Sequence, residues 1–157
     1  MSQILTRAEA AGFARRIQNE GRAVVFTNGV FDILHPGHVR YLTAARQQGD
    51  VLIVGINADA SVRRLAKGPD RPLNPEDERA EVLAALAVVD AVVIFDEDTP
   101  LEIVTAIQPD VLVKGADWAA DAIVGRDVVE AGGGKVVRID LSPGYSTSAI
   151  VERLRSR

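Results

Sequence analysis

Five short aliphatic runs, each followed by a loop and a helix-like stretch, leave this 157-residue chain little choice of architecture. They are AVVFTN at 23–28, VLIVGIN at 51–57, AVVIF at 91–95, VLVK at 111–114 and KVVRI at 135–139. Such near-continuous β-branched runs suit strands covered on both faces, as in a parallel sheet. The stretches between them carry helix signals. Thr6 and Glu9 form a capping-box pattern before Ala8, Phe13 and Ile17, and Gly21 stops that helix. Pro36 suits a first helical turn before Val39, Leu42 and Ala45. Pro75-Glu76-Asp77-Glu78 places acid in the first turn of a helix running to about Val88. Thr99-Pro100 opens another helix to Ile107, residues 124–131 read as helical, and Ile150, Val151 and Leu154 pattern a last one after Ser146. The expectation is a single-domain α/β protein: a Rossmann-like, doubly wound, five-stranded parallel sheet over 23–157. Residues 1–22 are expected to form an N-terminal helical extension packed outside the core.

Composition narrows the function classes. With 47% apolar and 25% charged residues the chain is an ordinary soluble globular type. A net charge of −4 argues against a general nucleic-acid binder, which needs a basic face. The absence of cysteine excludes disulfides, thiol nucleophiles and cysteine zinc sites. No signal-like apolar stretch opens the chain. The longest apolar segment, 83–95, is broken by Asp90 and too short to span a bilayer. A cytoplasmic protein without membrane or nucleic-acid partners is expected.

In doubly wound sheets, ligands bind beyond the carboxyl ends of the strands. The loops there, 28–37, 57–75, 114–125 and 141–147, hold the residues with chemistry. Neither a G-x-G-x-x-G nor a Walker pattern is present. The first loop instead offers Asn28-Gly29-Val30-Phe31-Asp32 and then His35-Pro36-Gly37-His38, which contains both of the chain's histidines. Gly29 and Gly37 leave room for a ligand to approach the backbone. His38 lies in the first turn of the following helix, where free N–H groups and the dipole favour an anion. A phosphate clamp, a metal pair completed by carboxylates, and a plain turn with one capping histidine all fit the box taken alone.

Other loops add cations and hydroxyls. The segment 61–73 carries Arg63, Arg64, Lys67 and Arg71 against Asp70, with Gly68, Pro69 and Pro72 suggesting an irregular excursion over a polyphosphate. Lys67 is the candidate phosphate contact there. Arg79 either reaches phosphate or pairs with Glu76 along its helix. Lys114-Gly115-Ala116-Asp117-Trp118 ends the fourth run, and a lysine buried there needs Asp117 or an anionic ligand. Ser146 and Thr147 suit both a helix cap and a phosphate contact.

The H-P-G-H box resembles the H-x-G-H element of the nucleotidylyltransferase superfamily. The ordered set "TNGVFDILHPGHVRYL", "GINADASVRRLAKGPDRPLNPEDER", "DEDTPLEIVTAIQPDVLVKGADW" and "GYSTSAI" is similar to the adenylyltransferases that make ADP-heptose. The resemblance covers nearly all of 20–157 and makes 23–157 a nucleotidylyltransferase domain. It implies attack of a sugar 1-phosphate, D-glycero-β-D-manno-heptose 1-phosphate, on the α-phosphorus of ATP, with Mg²⁺ accompanying the nucleotide. It assigns His35, His38, Lys67 and Arg79 to the reacting phosphates. Nucleotide binding falls to Thr27, Asn28, Gly29, Val30, Phe31, Asp32, Gly37, Lys114, Gly115, Asp117, Ser146 and Thr147. No protein metal ligand is implied. A homodimer and a separate heptose kinase complete the picture. Two alternatives stand beside it: a cytidylyltransferase acting on glycerol 3-phosphate or another alcohol phosphate, and a non-catalytic nucleotide-binding module. The arginine that cytidylyltransferases carry before the last segment is missing, with Leu141 and Ser142 in its place.

Overall fold

The computed structural model describes residues 2–65 and 68–157. Among them, six parallel strands form one sheet: β1 (Gln3–Leu5), β2 (Val24–Gly29), β3 (Val51–Asn57), β4 (Ala91–Phe95), β5 (Val111–Gly115) and β6 (Lys135–Ile139). Their lateral order is β1-β4-β3-β2-β5-β6. The helices are α1 (Arg7–Asn19), α2 (Pro36–Arg46), α3 (Asp59–Arg64), α4 (Glu76–Ala84), α5 (Leu101–Ile107), α6 (Arg126–Ala131) and α7 (Thr147–Arg155).

Side chains alternate across the sheet as the two-residue period of a strand requires. In β2, Val24 and Phe26 enter one core cluster and Val25 the other; in β3, Val51 and Ile53 part in the same way from Leu52, Val54 and Ile56. The first cluster is closed by α1, α5 and α6 through Ala10, Ala14, Ile17, Ile103, Ile107 and Val129. The second is closed by α2 and α4 through Leu42, Ala45, Ala80 and Leu83. Helices therefore cover both faces, and the doubly wound reading holds.

The strand count does not: the sheet has six strands, not five. The additional one, β1, pairs in parallel with β4, Gln3 opposite Ala91 and Leu5 opposite Val93. Three residues are too few to show a strand period, and Leu5 reads equally well as the first apolar position of a helix. The capping box at Thr6 is formed: its hydroxyl accepts from the Glu9 N–H, and the Glu9 carboxylate accepts from the Thr6 N–H. Helix α1 starts at Arg7, and its Ala10, Ala14 and Ile17 belong to the core instead of lying outside it. A second difference is α3, a short helix where an irregular excursion was expected. It buries Ser61 and Val62 and exposes Arg63 and Arg64.

Sequence neighbours β2 and β3 pair directly, while β5 lies on the other side of β2. The winding reverses between β2 and β5, which is where a crevice opens in such sheets.

Candidate active site

The crevice has a specific cause. β2 pairs with β3 as far as Gly29–Ile56, but with β5 only at Val25–Val111 and Phe26–Leu112. Beyond Phe26 the two central strands part, and side chains bridge the gap. Thr27 Oγ1 donates to the Val113 carbonyl at 2.9 Å and meets the Tyr41 hydroxyl at 2.8 Å. One residue further out, Lys114 Nζ donates to Asn28 Oδ1 at 2.5 Å. Above these bridges lies a cleft of about 380 Å³.

The histidine box forms one wall. His35 caps α2, its Nδ1 facing the His38 N–H at 3.4 Å, with Pro36 in the first turn. The His35 and His38 rings stack with centroids 3.8 Å apart, Tyr145 lies parallel to His35 at 6.1 Å, and Phe31 tilts against His38 at 5.2 Å. Gly37 is what lets this column close. A Cβ there would stand 2.9 Å from the His35 ring and 2.9 Å from Tyr145 Cβ. Phe31 adopts a left-handed φ of 51°, unusual for a bulky residue and of the sort concentrated at ligand sites.

Burial pushes the His38 imidazole down to about 4, with His35 adding to the effect and the Ile33 carbonyl opposing it. Burial also lowers His35. Both rings are therefore neutral near pH 7, and among the described residues His38 Nδ1 is buried without a hydrogen-bond partner. An anion placed beside them would favour their charged forms.

Asp32 is buried beneath this wall. Burial alone would raise its carboxyl, yet N–H groups of Leu73 and Asn74 and the Arg71 guanidinium hold it below the usual range. The distances are 2.9 Å from Leu73 N and 2.9 Å from Asn74 N, and Arg71 Nε donates to Oδ2 at 2.7 Å. Asp32 thus ties the segment 71–74 to the first loop.

The structure places Arg79 away from the cleft. It is 2% exposed, and its guanidinium donates to the carbonyls of Asn74, Val30 and Asn57 and to Asp59 Oδ1, at 2.7–2.9 Å. Arg79 does not line the cleft, and the pair with Glu76 read from the sequence is not formed; Glu76 instead accepts from the Asp59 N–H. Arg79 is committed to holding three loops together. Arg64 is similarly engaged, with Asp98 and Asp96. Lys67 lies outside the described residues.

On the opposite wall, burial pushes the Lys114 ammonium down to about 8, partly countered by Asp117. Its Nζ sits 5.6 Å from the ring centroid of Trp118, which is half exposed. A Cβ on Gly115 would meet Asp117 Oδ1 at 2.6 Å, so the glycine lets that carboxylate turn back over the strand end. At the helix α7 start, Ser146 Oγ accepts from the Ala149 N–H at 3.0 Å, and Thr147 Oγ1 donates to the Ile33 carbonyl at 3.0 Å. Leu141 and Ser142 line the cleft beside them.

The cleft therefore gathers Asn28, Gly29, Val30, Phe31 and Asp32 with His35, Gly37 and His38. Lys114, Gly115, Asp117, Ser146 and Thr147, also expected from the sequence, join them. Thr27 lies buried at the strand junction without lining the cleft. Tyr41, Arg71 and Tyr145 also line the cleft and were not among the expected contacts. The basic run at 61–73 was the signal for Arg71, while nothing local marks the two tyrosines. A second cleft of about 260 Å³ adjoins the first, sharing Asn28, Gly29, Val30, Lys114 and Trp118 and adding Asn57, Leu65, Asp98, Pro100 and Val124. The Lys114–Asn28 bridge thus borders both.

Comparison with known proteins gives the family. A family model described as cytidylyltransferase-like matches residues 26–153. The bifunctional protein HldE of Acidiphilium cryptum is 56% identical over 156 residues, covering 99% of this chain and 32% of its own length. That of Rhodopseudomonas palustris is 60% identical over 137 residues, covering 87% and 28%. The chain spans about a third of the length of these curated relatives. Among solved structures, the lipopolysaccharide core biosynthesis protein from Thermoplasma volcanium GSS1 superposes with a TM-score of 0.65 at 30% identity, over 78% of this chain and 98% of that one.

Proposed function

The chain belongs to the cytidylyltransferase-like family, and from that premise we propose that it transfers AMP from ATP to D-glycero-β-D-manno-heptose 1-phosphate. The products are ADP-heptose and pyrophosphate. The observation that carries the reading is the larger cleft at the β2/β5 divergence. It brings the histidine box, Lys114 and the Ser146-Thr147 helix start to one place.

The chemistry needs no protein nucleophile. An oxygen of the sugar phosphate attacks the α-phosphorus, a new P–O bond forms, and the bond to the β-phosphate bridge breaks. Pyrophosphate leaves with that electron pair. The protein's task is alignment and relief of negative charge. ATP occupies the larger cleft, its phosphates against His35, His38 and the free N–H groups at the start of α7. The acceptor enters from the adjoining cleft, where Asn57 and Asp98 offer hydrogen-bond acceptors for sugar hydroxyls. Lys114, bordering both, faces the acceptor phosphate and the α-phosphate together. The histidines are neutral while the site is empty and gain charge as phosphate arrives, so the empty cleft avoids burying two cations.

Mg²⁺ enters as part of the substrate, bound to the ATP phosphates. Among the described residues no group of three or more His, Asp or Glu side chains converges to hold it. The acceptor is the product of a heptose kinase, and the active form is a homodimer in the cytoplasm. No helix among the described residues is long and apolar enough to cross a membrane.

The test is pyrophosphate release with ATP or CTP, paired with heptose 1-phosphate or glycerol 3-phosphate. Turnover with ATP and the heptose supports the proposal. Turnover with CTP and glycerol 3-phosphate alone replaces it with cytidylyl transfer, and no turnover with any pair leaves a nucleotide-binding module.

A further inference from the structure

Two arginines lie close in sequence at the edge of the site, and their surroundings are opposite. Arg79 spends its guanidinium on three carbonyls and a carboxylate of its own chain and does not line the cleft. Arg71 lines the cleft with a side chain only 7% exposed. Its Nε donates to Asp32 Oδ2 at 2.7 Å, and among the described residues its two terminal nitrogens donate to nothing. A guanidinium has five N–H donors in a rigid fork. The terminal nitrogens are not among the buried atoms left without a partner, so their four N–H groups open onto the cleft, where a ligand can meet them.

The geometry narrows that ligand. Asp32 is saturated by Arg71, Leu73 and Asn74, so it acts as a fixed brace behind the guanidinium. Arg71 borders the cleft that holds His35, His38 and Ser146 and is absent from the adjoining one. It therefore faces the nucleotide's side of the site, not the acceptor's. The complement of an open arginine fork there is the cluster of oxygens on a phosphate chain.

We propose that Arg71 is a catalytic residue that grips the nucleotide's polyphosphate through its terminal N–H groups, with Asp32 aiming it through Nε. This rests on reading the larger cleft as the nucleotide site. The braced pair carries little net charge, so directed donors matter more than positive charge, and lysine is a poor replacement.

The test is calorimetric binding of ATP, inorganic pyrophosphate and adenosine to the wild type, Arg71→Lys and Arg71→Gln. Both variants are expected to lose roughly 10- to 100-fold in affinity for ATP and pyrophosphate, with adenosine affinity within about twofold. Unchanged ATP affinity overturns the proposal. An equal loss for adenosine also overturns it, because the effect is then a distortion spread through Asp32. Should the variants not fold, the arginine side-chain N–H signals of the wild type provide the answer by NMR. Slowed exchange at Arg71 Nη on adding pyrophosphate supports the grip, and unchanged exchange while pyrophosphate binds refutes it. A wild type that binds neither ATP nor pyrophosphate removes the nucleotide reading along with it. A variant that binds ATP normally without Arg71 removes only the role given to this residue.

Discussion

Lys114 Nζ donates to Asn28 Oδ1 at 2.5 Å, so the two strands that part to open the cleft are rejoined at their tips by the same cation that borders both compartments. Burial lowers that ammonium from its ordinary 10.5 to about 8. It is charged at pH 7 and loses its proton as pH passes 8. kcat/KM is expected to fall above about pH 8 in the wild type, and Lys114→Arg should remove that alkaline limb even if it lowers the plateau. Stability carries the opposite sign. Because the folded value lies below the unfolded one, raising pH from 8 to 10.5 relieves a penalty on the folded state. A kcat/KM profile that stays flat to pH 10 would count against a charged Lys114 in the reaction.

The stacked histidines make a separable prediction. His35 both caps α2 and faces the cleft, whereas asparagine performs only the first job well. His35→Asn should keep stability within about 1 kcal/mol of the wild type while kcat falls roughly 10²- to 10³-fold. His38→Ala should show a kcat loss of the same order. Denaturant titration alongside steady-state kinetics separates the two effects, and a fall of less than about tenfold for either variant would exclude the assigned role.

Arg79 should behave as a structural residue. Arg79→Met strands Asp59 and three carbonyl oxygens that it now satisfies. The expected loss is about 3 kcal/mol or more in chemical denaturation. Nucleotide affinity should fall only as far as the folded fraction does. Full stability with abolished ATP binding would return Arg79 to the phosphate site.

Gly37→Ala tests the ring column. The added methyl would press on the His35 ring and Tyr145 at 2.9 Å, so one of the two must move. The expected result is a kcat loss of tenfold or more with a modest drop in melting temperature, since the residue is only half buried. Wild-type kcat in this variant would show that the His35–Tyr145 contact is dispensable.

How far these features were readable in the sequence depends on how local each one is. The four interior strands, β2 to β5, announced themselves because both of their faces are buried, and near-continuous β-branched runs follow from that; the edge strand β6 showed through Val136, Val137 and Ile139 alone. The helix starts at Thr6 and Ser146 were visible because a cap is a contact over three residues. β1 was invisible because its meaning lies in pairing with β4, some ninety residues away. The surroundings of the arginines were hidden for a related reason. Arg79 is satisfied by carbonyls of residues 30, 57 and 74, and Arg71 is braced by a carboxylate 39 positions earlier. A basic residue in a loop or first helical turn looks the same in sequence whether it meets solvent, ligand or backbone. The histidine box could be found because its spacing and its chemistry coincide within four residues.

What Arg79 grasps at Val30, Asn57 and Asn74 is carbonyl oxygen, a group every residue type carries. Its grip is therefore blind to the side chains at those three positions. Val30 borders both compartments and can be exchanged without loosening that grip, whereas the Asn57 amide carries a buried hydrogen bond of its own to Ser61. The fold thus keeps the location of its loops separate from their vocabulary. One buried guanidinium maintains the frame, and a position such as Val30 is left open to be rewritten.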